Sequence, residues 1–261
     1  MSANRMPALF VGHGSPMNAV SDNRFTAAWK ALGQSLPKPR AILMISAHWY
    51  TRGTAVTAMG NPKTIHDFGG FPDALFQVEY PAPGSPELAG QIADLLSPLS
   101  IYLDHDEWGL DHGAWEILVR MYPEANIPVV QLSIDGTKPL AWHLEMGRKL
   151  SVLREQGIMI MGSGNVVHNL REMNWQNADV EAYPWARSFE QFVCDNLRSQ
   201  GSPHPLTQAL EREDGKHSNP SAEHFLPLLY ILGTWNGEEA ISTPTEGIVS
   251  GSLSMLSVQV G

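Results

Sequence analysis

The chain has 261 residues, of which 43% are hydrophobic and 17% charged, so it can bury a large core and is not expected to be disordered. Its formal net charge of −10 argues against a nucleic acid or an anionic membrane as partner, because both attract clustered Lys and Arg. A small molecule is the expected ligand. The single cysteine, Cys194, excludes an internal disulfide and thiolate-based zinc or iron–sulfur sites, and it fits a reducing, cytoplasmic compartment. The N-terminal apolar run is too short for a secretory signal, and no later segment predicts a membrane span.

Short apolar runs rich in Val, Ile, Leu and Met predict buried strands, at 8–11, 41–46, 128–133, 158–161 and 253–260. Their nearly continuous apolar character is typical of a parallel sheet that is covered on both faces. Apolar residues at helical spacing predict helices between them, at 88–96, 142–153 and 185–197. A further helix is predicted to begin at Asn219, with Pro220 in its first turn. The sequence therefore predicts one layered α/β domain over residues 1–261, with a central, largely parallel or mixed sheet flanked by helices.

Three of the predicted strands run into a histidine. His13 follows the first strand, His48 the second and His168 the fourth, and His224 lies in the opening turns of the helix predicted at Asn219. Ligands of open α/β sheets bind at the carboxyl ends of the strands, so these side chains converge if the strands are parallel and adjacent. A single histidine after a strand is more often structural, but three in such positions, together with one at a helix start, favour a metal site.

The other histidines differ in context. His112, in a glycine-flanked turn, is predicted either to contact the substrate or to be structural. His66 and Phe71 belong to segment 60–84, whose length without regular stripes is typical of a functional loop, and both are candidate substrate contacts. Four histidines are predicted to be surface or helix-face residues: His105, His143, His204 and His217. Four carboxylates are candidates for orienting histidine ligands: Asp67, Asp111, Asp135 and Glu223.

Ordered motifs along nearly the whole chain carry a family resemblance. They are GHGSPMNA from Gly12, SAHWYTRG from Ser46, IHDFGGFP from Ile65, YPAPGSPELA from Tyr80, WGLDHGAWEIL from Trp108, QLSID from Gln131, GSGNVVHNL from Gly162 and the terminal GSLSMLSVQ. With these motifs the sequence closely resembles the DOPA 4,5-dioxygenase family of class III extradiol ring-cleaving dioxygenases, in particular its bacterial members.

The resemblance implies one divalent metal per chain, held by His13, His48 and His224. His168 then lies beside the metal as the acid–base catalyst or as a fourth ligand, and Glu223 is an alternative to His224. It also implies a catechol such as L-DOPA and O2 as reactants, with a muconic semialdehyde as product. Fe(II) is expected for turnover, whereas Zn(II), which binds nitrogen sites more tightly but has no redox chemistry, is expected in isolated protein.

Other interpretations of these four histidines remain open from the sequence alone. A tetrapyrrole metal chelatase also has an HGS-type turn after its first strand, a zinc hydrolase activates water in place of dioxygen, and a non-catalytic protein can store metal. A chelatase, however, leaves His48 and His168 without a joint role. No coiled-coil pattern is present, so we expect a monomer or a small homo-oligomer.

Overall fold

A mixed eight-stranded sheet forms the centre of the structure, a computed structural model that describes residues 5–261. The strands of the structure are β1 Ala8–Gly12, β2 Ala41–Thr51, β3 Thr54–Thr57, β4 Ile101–Asp104, β5 Val129–Asp135, β6 Ile158–Gly164, β7 Ile241–Ser242, β8 Ile248–Val249, β9 Leu253–Ser254 and β10 Val258–Val260. The order in the large sheet is β4-β3-β5-β2-β6-β1-β10-β7, and β8 pairs with β9 separately. Strands β5, β2, β6 and β1 are neighbours and run parallel.

Helices cover both faces of this sheet. They are α1 Arg24–Ser35, α2 Asp73–Phe76, α3 Pro86–Leu95, α4 His112–Met121, α5 Leu140–Leu150, α6 Pro184–Asn196, α7 Glu213–Ser218 and α8 Leu226–Gly233, with 3-10 helices at Pro16–Ala19, Ser151–Gln156 and Pro205–Glu211. Side chains of α1 and α4 form one apolar cluster with the sheet, and those of α3, α5, α6 and α8 form the other. None of the helices in the described residues has the length and hydropathy of a membrane span.

Strand β2 shows why the sheet needs two covering layers. Ile42 and Met44 point into the α1/α4 cluster, whereas Leu43 and Ile45 point into the opposite cluster, and all four are fully buried. Successive side chains of a strand alternate between faces, so a strand that is apolar throughout must be covered on both sides. Burying such a side chain stabilises the fold by about 1.5–3 kcal/mol. The predicted layered α/β fold with a mixed sheet is confirmed.

Three details of the prediction are wrong. Segment 253–260 is not one strand: it divides into β9 and β10, and β10 runs antiparallel to β1. Strand β2 does not end before His48 but continues through Thr51, with a shift of its pairing register between Ile45 and Tyr50. Asn219 does not begin a helix. Its backbone N–H bonds to the carbonyl of Gly215, so it ends α7, and the next helix begins at Leu226.

Because residues 1–4 lie outside the described part of the chain, the domain limits 1–261 stay a prediction. The helix predicted at 142–153 corresponds to α5 and the 3-10 helix that follows it, which ends at Gly157. Segment 60–84 contains one short helix, α2, and an isolated bridge between Thr64 and Leu110, and otherwise has no regular structure.

Candidate metal centre

The three strands that position the histidines are neighbours in the sheet. β6 pairs in parallel with β1 on one side and with β2 on the other. His13 directly follows β1, His168 lies four residues beyond β6, and His48 lies in β2 where its pairing is irregular. The carboxyl ends of these strands therefore bring the three side chains to the same end of the sheet, which is where open α/β sheets bind ligands.

Five histidine rings meet at this end of the sheet: His13, His48, His112, His168 and His224. The ring centroid of His13 is 5.1 Å from that of His48 and 5.3 Å from that of His224, and the His48 and His224 centroids are 5.1 Å apart. The His48 ring also lies 3.8 Å from the His112 ring. We call these five residues the histidine cluster.

The spacing of two donor atoms fits a metal ion. Nε2 of His48 lies 3.4 Å from Nε2 of His13. Two nitrogens bound at about 2.1 Å to a tetrahedral metal lie about 3.4 Å apart. His13, His48 and His112 each offer a ring nitrogen within 4.8 Å of the others. The cluster thus has the donor types and the spacing of a nitrogen-rich site for a divalent transition metal.

The His13 ring is oriented by a serine that the sequence analysis missed. Nδ1 of His13 lies 2.9 Å from Oγ of Ser163, and that hydroxyl donates its hydrogen to the carbonyl oxygen of Gly113 at 2.5 Å. Since the hydroxyl has one hydrogen, Oγ must accept from Nδ1–H. His13 therefore carries its proton on Nδ1 and presents the lone pair of Nε2 to the cluster. In the sequence, the sign of this role is a stretch of small residues at the end of β6, where Ser163 pairs with Val11 of β1.

Asp67 joins two members of the histidine cluster. Its Oδ1 accepts from both the backbone N–H and Nδ1 of His112, each at 2.9 Å, and its Oδ2 lies 3.3 Å from Nδ1 of His48. Burial raises the pKa of this carboxyl, but hydrogen bonds from His112 and the nearby imidazoles outweigh it and lower the pKa below its ordinary value. Asp67 is therefore a carboxylate at neutral pH and can orient both rings, as anticipated for a carboxylate behind histidine ligands.

His224 is held against the end of β6 by its backbone. Its carbonyl accepts from the N–H of Asn165 at 2.9 Å, and a Cβ at Gly164 would lie 2.2 Å from the same oxygen, so only glycine permits this approach. Nδ1 of His224 faces Oε1 of Glu223 at 3.3 Å. Nε2 of His224 is buried and has no hydrogen-bond partner within residues 5–261. A buried nitrogen without a partner is costly, and a metal ion would satisfy it.

The chemistry of the cluster depends on neutral imidazoles. Burial is the main cause that lowers the pKa of His48 to about 3 and that of His168 to about 4. Burial, followed by repulsion from the neighbouring rings, also takes the pKa values of His13 and His224 well below the ordinary range. At neutral pH these rings are uncharged, which is the form that binds metals and accepts protons.

Several candidate residues lie outside the cluster. Asp111 is buried at the start of α4 and accepts from Ser46 at 2.6 Å and from Gln131, and Asp135 accepts from Thr137, so these two carboxylates contact no histidine in the described hydrogen bonds. His66 bonds to the carbonyl of Val78 at 2.9 Å within the 60–84 loop. Phe71 is linked to the cluster through Phe68, whose ring lies 5.4 Å from both Phe71 and His112.

The four histidines predicted at surfaces or helix faces are not all exposed. His105 and His217 are exposed and His204 is half-buried, but His143 is fully buried on α5. Its Nδ1 lies 3.1 Å from the hydroxyl of Tyr230 on α8, a partner that sequence spacing could not reveal.

Comparison with known proteins decides between the readings of this site. A family model described as the catalytic LigB subunit of aromatic ring-opening dioxygenase matches residues 8–260. The chain belongs to this family. It is 60% identical to a 4,5-DOPA dioxygenase extradiol of Escherichia coli (strain K12), over 100% of this chain and 97% of that protein. It is 38% identical to a 4,5-DOPA dioxygenase extradiol of Beta vulgaris, over 88% of this chain and 87% of that protein.

A solved structure agrees with this assignment. The crystal structure of an uncharacterized protein from Escherichia coli K12 matches with a TM-score of 0.89 and 54% identity, covering 98% of this chain and 100% of that one. As a member of the LigB family, the chain is a non-haem extradiol ring-opening dioxygenase, which acts on a small aromatic molecule and O2. The family and the histidine cluster together support one metal site. The chelatase, hydrolase and storage readings are set aside.

Proposed function

We propose that this chain opens the ring of a catechol such as L-DOPA with O2, giving a muconic semialdehyde, at a divalent metal held by His13, His48 and His224. The observation that carries the proposal is the convergence of these three neutral rings at the carboxyl ends of β1, β2 and β6. The names of the relatives at 60% and 38% identity support L-DOPA as a substrate.

His224 is preferred to His112 as the third ligand for two reasons. Its Nε2 is buried without a hydrogen-bond partner within residues 5–261, whereas no ring nitrogen of His112 is both buried and without a partner there. The rings of His13, His48 and His224 also form a nearly equilateral triangle, with centroid distances of 5.1–5.3 Å. His112, whose ring is 3.8 Å from that of His48, then contacts the bound substrate as the second catalytic histidine.

His168 is proposed as the acid–base catalyst. Its lowered pKa, about 4, leaves the ring neutral near pH 7, so a ring nitrogen can take the proton of a catechol hydroxyl and later return it. The carboxylate of Glu223 raises the pKa of His168 against the dominant effect of burial, and so stabilises the protonated ring. Glu223 therefore acts on His168 through its charge and contacts Nδ1 of His224 at 3.3 Å, and we do not assign it as a ligand.

Fe(II) is the proposed working metal, because when bound it supplies both the positive charge that favours catechol deprotonation and the redox chemistry that dioxygen requires. Zn(II) fits the same nitrogen donors but supplies only the charge. A cytoplasmic location, consistent with the single cysteine, and a monomer or small homo-oligomer stay predictions.

The test mixes Fe(II)-loaded protein with L-DOPA and with simple catechols in air and follows oxygen uptake and the yellow semialdehyde. The proposal expects both signals to appear together. Oxygen uptake without ring opening, or no reaction with any catechol, would contradict it.

A further inference from the structure

A cleft of about 790 Å³ is lined by residues that neighbour members of the histidine cluster, although no histidine itself lines it. Its wall includes Ser15, two residues beyond His13, and Leu253, which forms a backbone bridge with His168. Phe71 lines another side and reaches the His112 ring through Phe68. The cleft thus borders residues next to two members of the cluster, His13 and His168, and is linked to a third, His112, through Phe68, and its volume suits a small organic ligand.

The walls of the cleft are mostly apolar, with the rings of Phe25, Phe71 and Trp175 among them. Trp175 is one of the most exposed large hydrophobic side chains described, at 68%. Two lining residues carry a formal charge at neutral pH, Arg24 and Asp179. In an apolar cleft, the few charged side chains fix the orientation of a ligand that carries a complementary charge.

Arg24 is available to bind an anion. It is exposed at the start of α1, and within residues 5–261 it forms no ion pair or side-chain hydrogen bond. Its guanidinium carbon lies 4.5 Å from the centre of the Phe25 ring, and a Cβ at Gly247 would lie 2.6 Å from a guanidinium nitrogen. These contacts restrain the guanidinium at the cleft, while its planar donors remain free for a carboxylate.

Hydrogen bonds tie the Arg24 backbone to the metal-ligand candidate His13. Nδ2 of Asn18 donates to the carbonyl of His13 at 2.8 Å, and Oδ1 of Asn18 accepts from Nδ2 of Asn23, also at 2.8 Å. Asn23 caps α1, whose first residue is Arg24. Arg120 holds the 3-10 helix that contains Asn18 by donating to the carbonyl of Asn18 at 2.8 Å. The position of Arg24 relative to the histidine cluster is therefore set by a short chain of direct contacts.

We propose that Arg24 is a specificity-determining residue, which binds a carboxylate on the ring substituent of the catechol while the diol lies at the histidine cluster. This inference rests on the proposed function. The substituent lies in the cleft between the aromatic walls, and its carboxylate pairs with the guanidinium at the rim. The substrate class is a catechol with an aliphatic side chain that ends in a carboxylate.

The test compares two ligands that share a ring, 3,4-dihydroxyphenylpropionate and 4-methylcatechol, on four proteins. The proteins are the parent, Arg24→Met, Arg24→Lys and Lys30→Met, the last of which removes an exposed charge from the same helix outside the cleft. The dissociation constant is measured by calorimetry on Zn(II)-loaded protein under argon, and kcat/KM is measured on Fe(II)-loaded protein in air.

Arg24→Met should weaken binding and lower kcat/KM about tenfold for the carboxylated catechol, the loss expected for one hydrogen-bonded charge pair. The 4-methylcatechol values should change by less than about twofold, as should every value for Lys30→Met. Arg24→Lys should restore part of the preference. Added salt should reduce the preference of the parent but not that of Arg24→Met, because salt screens an exposed charge.

Equal effects of Arg24→Met on both ligands, or no effect on either, would overturn the inference. Loss of carboxylate binding in Arg24→Met with no ring opening by the parent would refute the proposed function while the Arg24 site stands. Ring opening of both catechols with no change of preference would refute the Arg24 site alone.

Discussion

The rings of His168 and His224 lie parallel, with an interplanar angle of 4° and centroids 3.5 Å apart. This contact places the proposed acid–base catalyst directly on a proposed metal ligand. Each ring is uncharged at neutral pH, since burial lowers both pKa values. A proton arriving on His168 is opposed mainly by the burial of the ring and is favoured by the nearby charge of Glu223.

The roles of the stacked pair can be separated by substitution. We expect His168→Ala to lower turnover by about 10²- to 10⁴-fold with the metal retained, because it removes a proton acceptor and no ligand. We expect His224→Ala to lose the metal. Metal content by mass spectrometry and oxygen uptake measure the two effects, and His105→Ala, at an exposed position, is the control. Loss of metal from His168→Ala would show that His168 is a metal ligand.

Ser163→Ala tests the orientation of His13. Without the hydroxyl, Nδ1–H of His13 loses its acceptor and the carbonyl of Gly113 loses its donor. Removing such a partner of a metal-bound histidine weakens metal affinity about 10- to 100-fold. Competition with a chromophoric chelator measures the affinity, and the exposed Ser100→Ala is the control. An unchanged affinity in Ser163→Ala would show that the hydrogen bond does not orient a ligand.

Proton release on metal binding tests whether the histidine cluster is neutral before the metal arrives. Three histidines with the ordinary pKa of 6.5 would together release about two protons at pH 6. Because the pKa of His48 is lowered to about 3 and those of His13 and His224 are far below their usual range, we expect release close to none. Calorimetry of zinc binding in buffers of different ionisation enthalpy gives the number. A value near two would contradict the pKa assignment.

Glu116 on α4 lowers the free energy of unfolding as the pH rises, whereas a carboxylate that is paired with a cation raises it. It is fully buried, neither of its carboxyl oxygens has a hydrogen-bond partner in the described structure, and burial raises its pKa well above 4.5. Its contribution to stability is fully present below pH 4.5, the unfolded pKa, and is lost as the pH rises toward the folded pKa.

Glu116→Gln removes this dependence, because glutamine stays neutral. We expect the variant to gain stability over the parent as the pH rises above 4.5, by at most about 1.4 kcal/mol per pH unit, with no such gain at pH 4. Urea unfolding of metal-free protein from pH 4 to 8 measures it, with the exposed Glu155→Gln as control. A difference between parent and Glu116→Gln that does not change with pH would contradict the prediction.

The sequence predicts the central strands of the sheet and the end of these strands at which the histidines meet. Strands β1, β2, β5 and β6 each begin with a mostly apolar run because both of their faces are covered, and this pattern is visible without a structure. His13 and His168 follow two of these strands, so their convergence requires only that the strands be parallel neighbours. Strands β3 and β4 are short, and β4 is half exposed at the sheet edge, so neither has a continuous apolar run to detect.

Other features depend on contacts that chain order does not show. Asn219 followed by Pro220 is typical of a helix start, but the Asn219 side chain donates to the carbonyl of Val166 at 2.7 Å and the residue ends the preceding helix instead. Ser163 is one small residue among several at the end of β6, and only its distance to His13 reveals its role. His143 is buried because Tyr230 meets it from another helix.

The most direct test of the central claim is the stoichiometry of oxygen uptake by anaerobically prepared Fe(II) and Zn(II) forms of the same protein sample. With L-DOPA or a simple catechol, the Fe(II) form should consume one O2 for each ring opened, and the Zn(II) form should consume none, because zinc has no redox chemistry. Protein as purified is expected to carry zinc and to have low activity. Full ring opening by a rigorously iron-free Zn(II) form, or oxygen uptake by the Fe(II) form without semialdehyde, would contradict the claim.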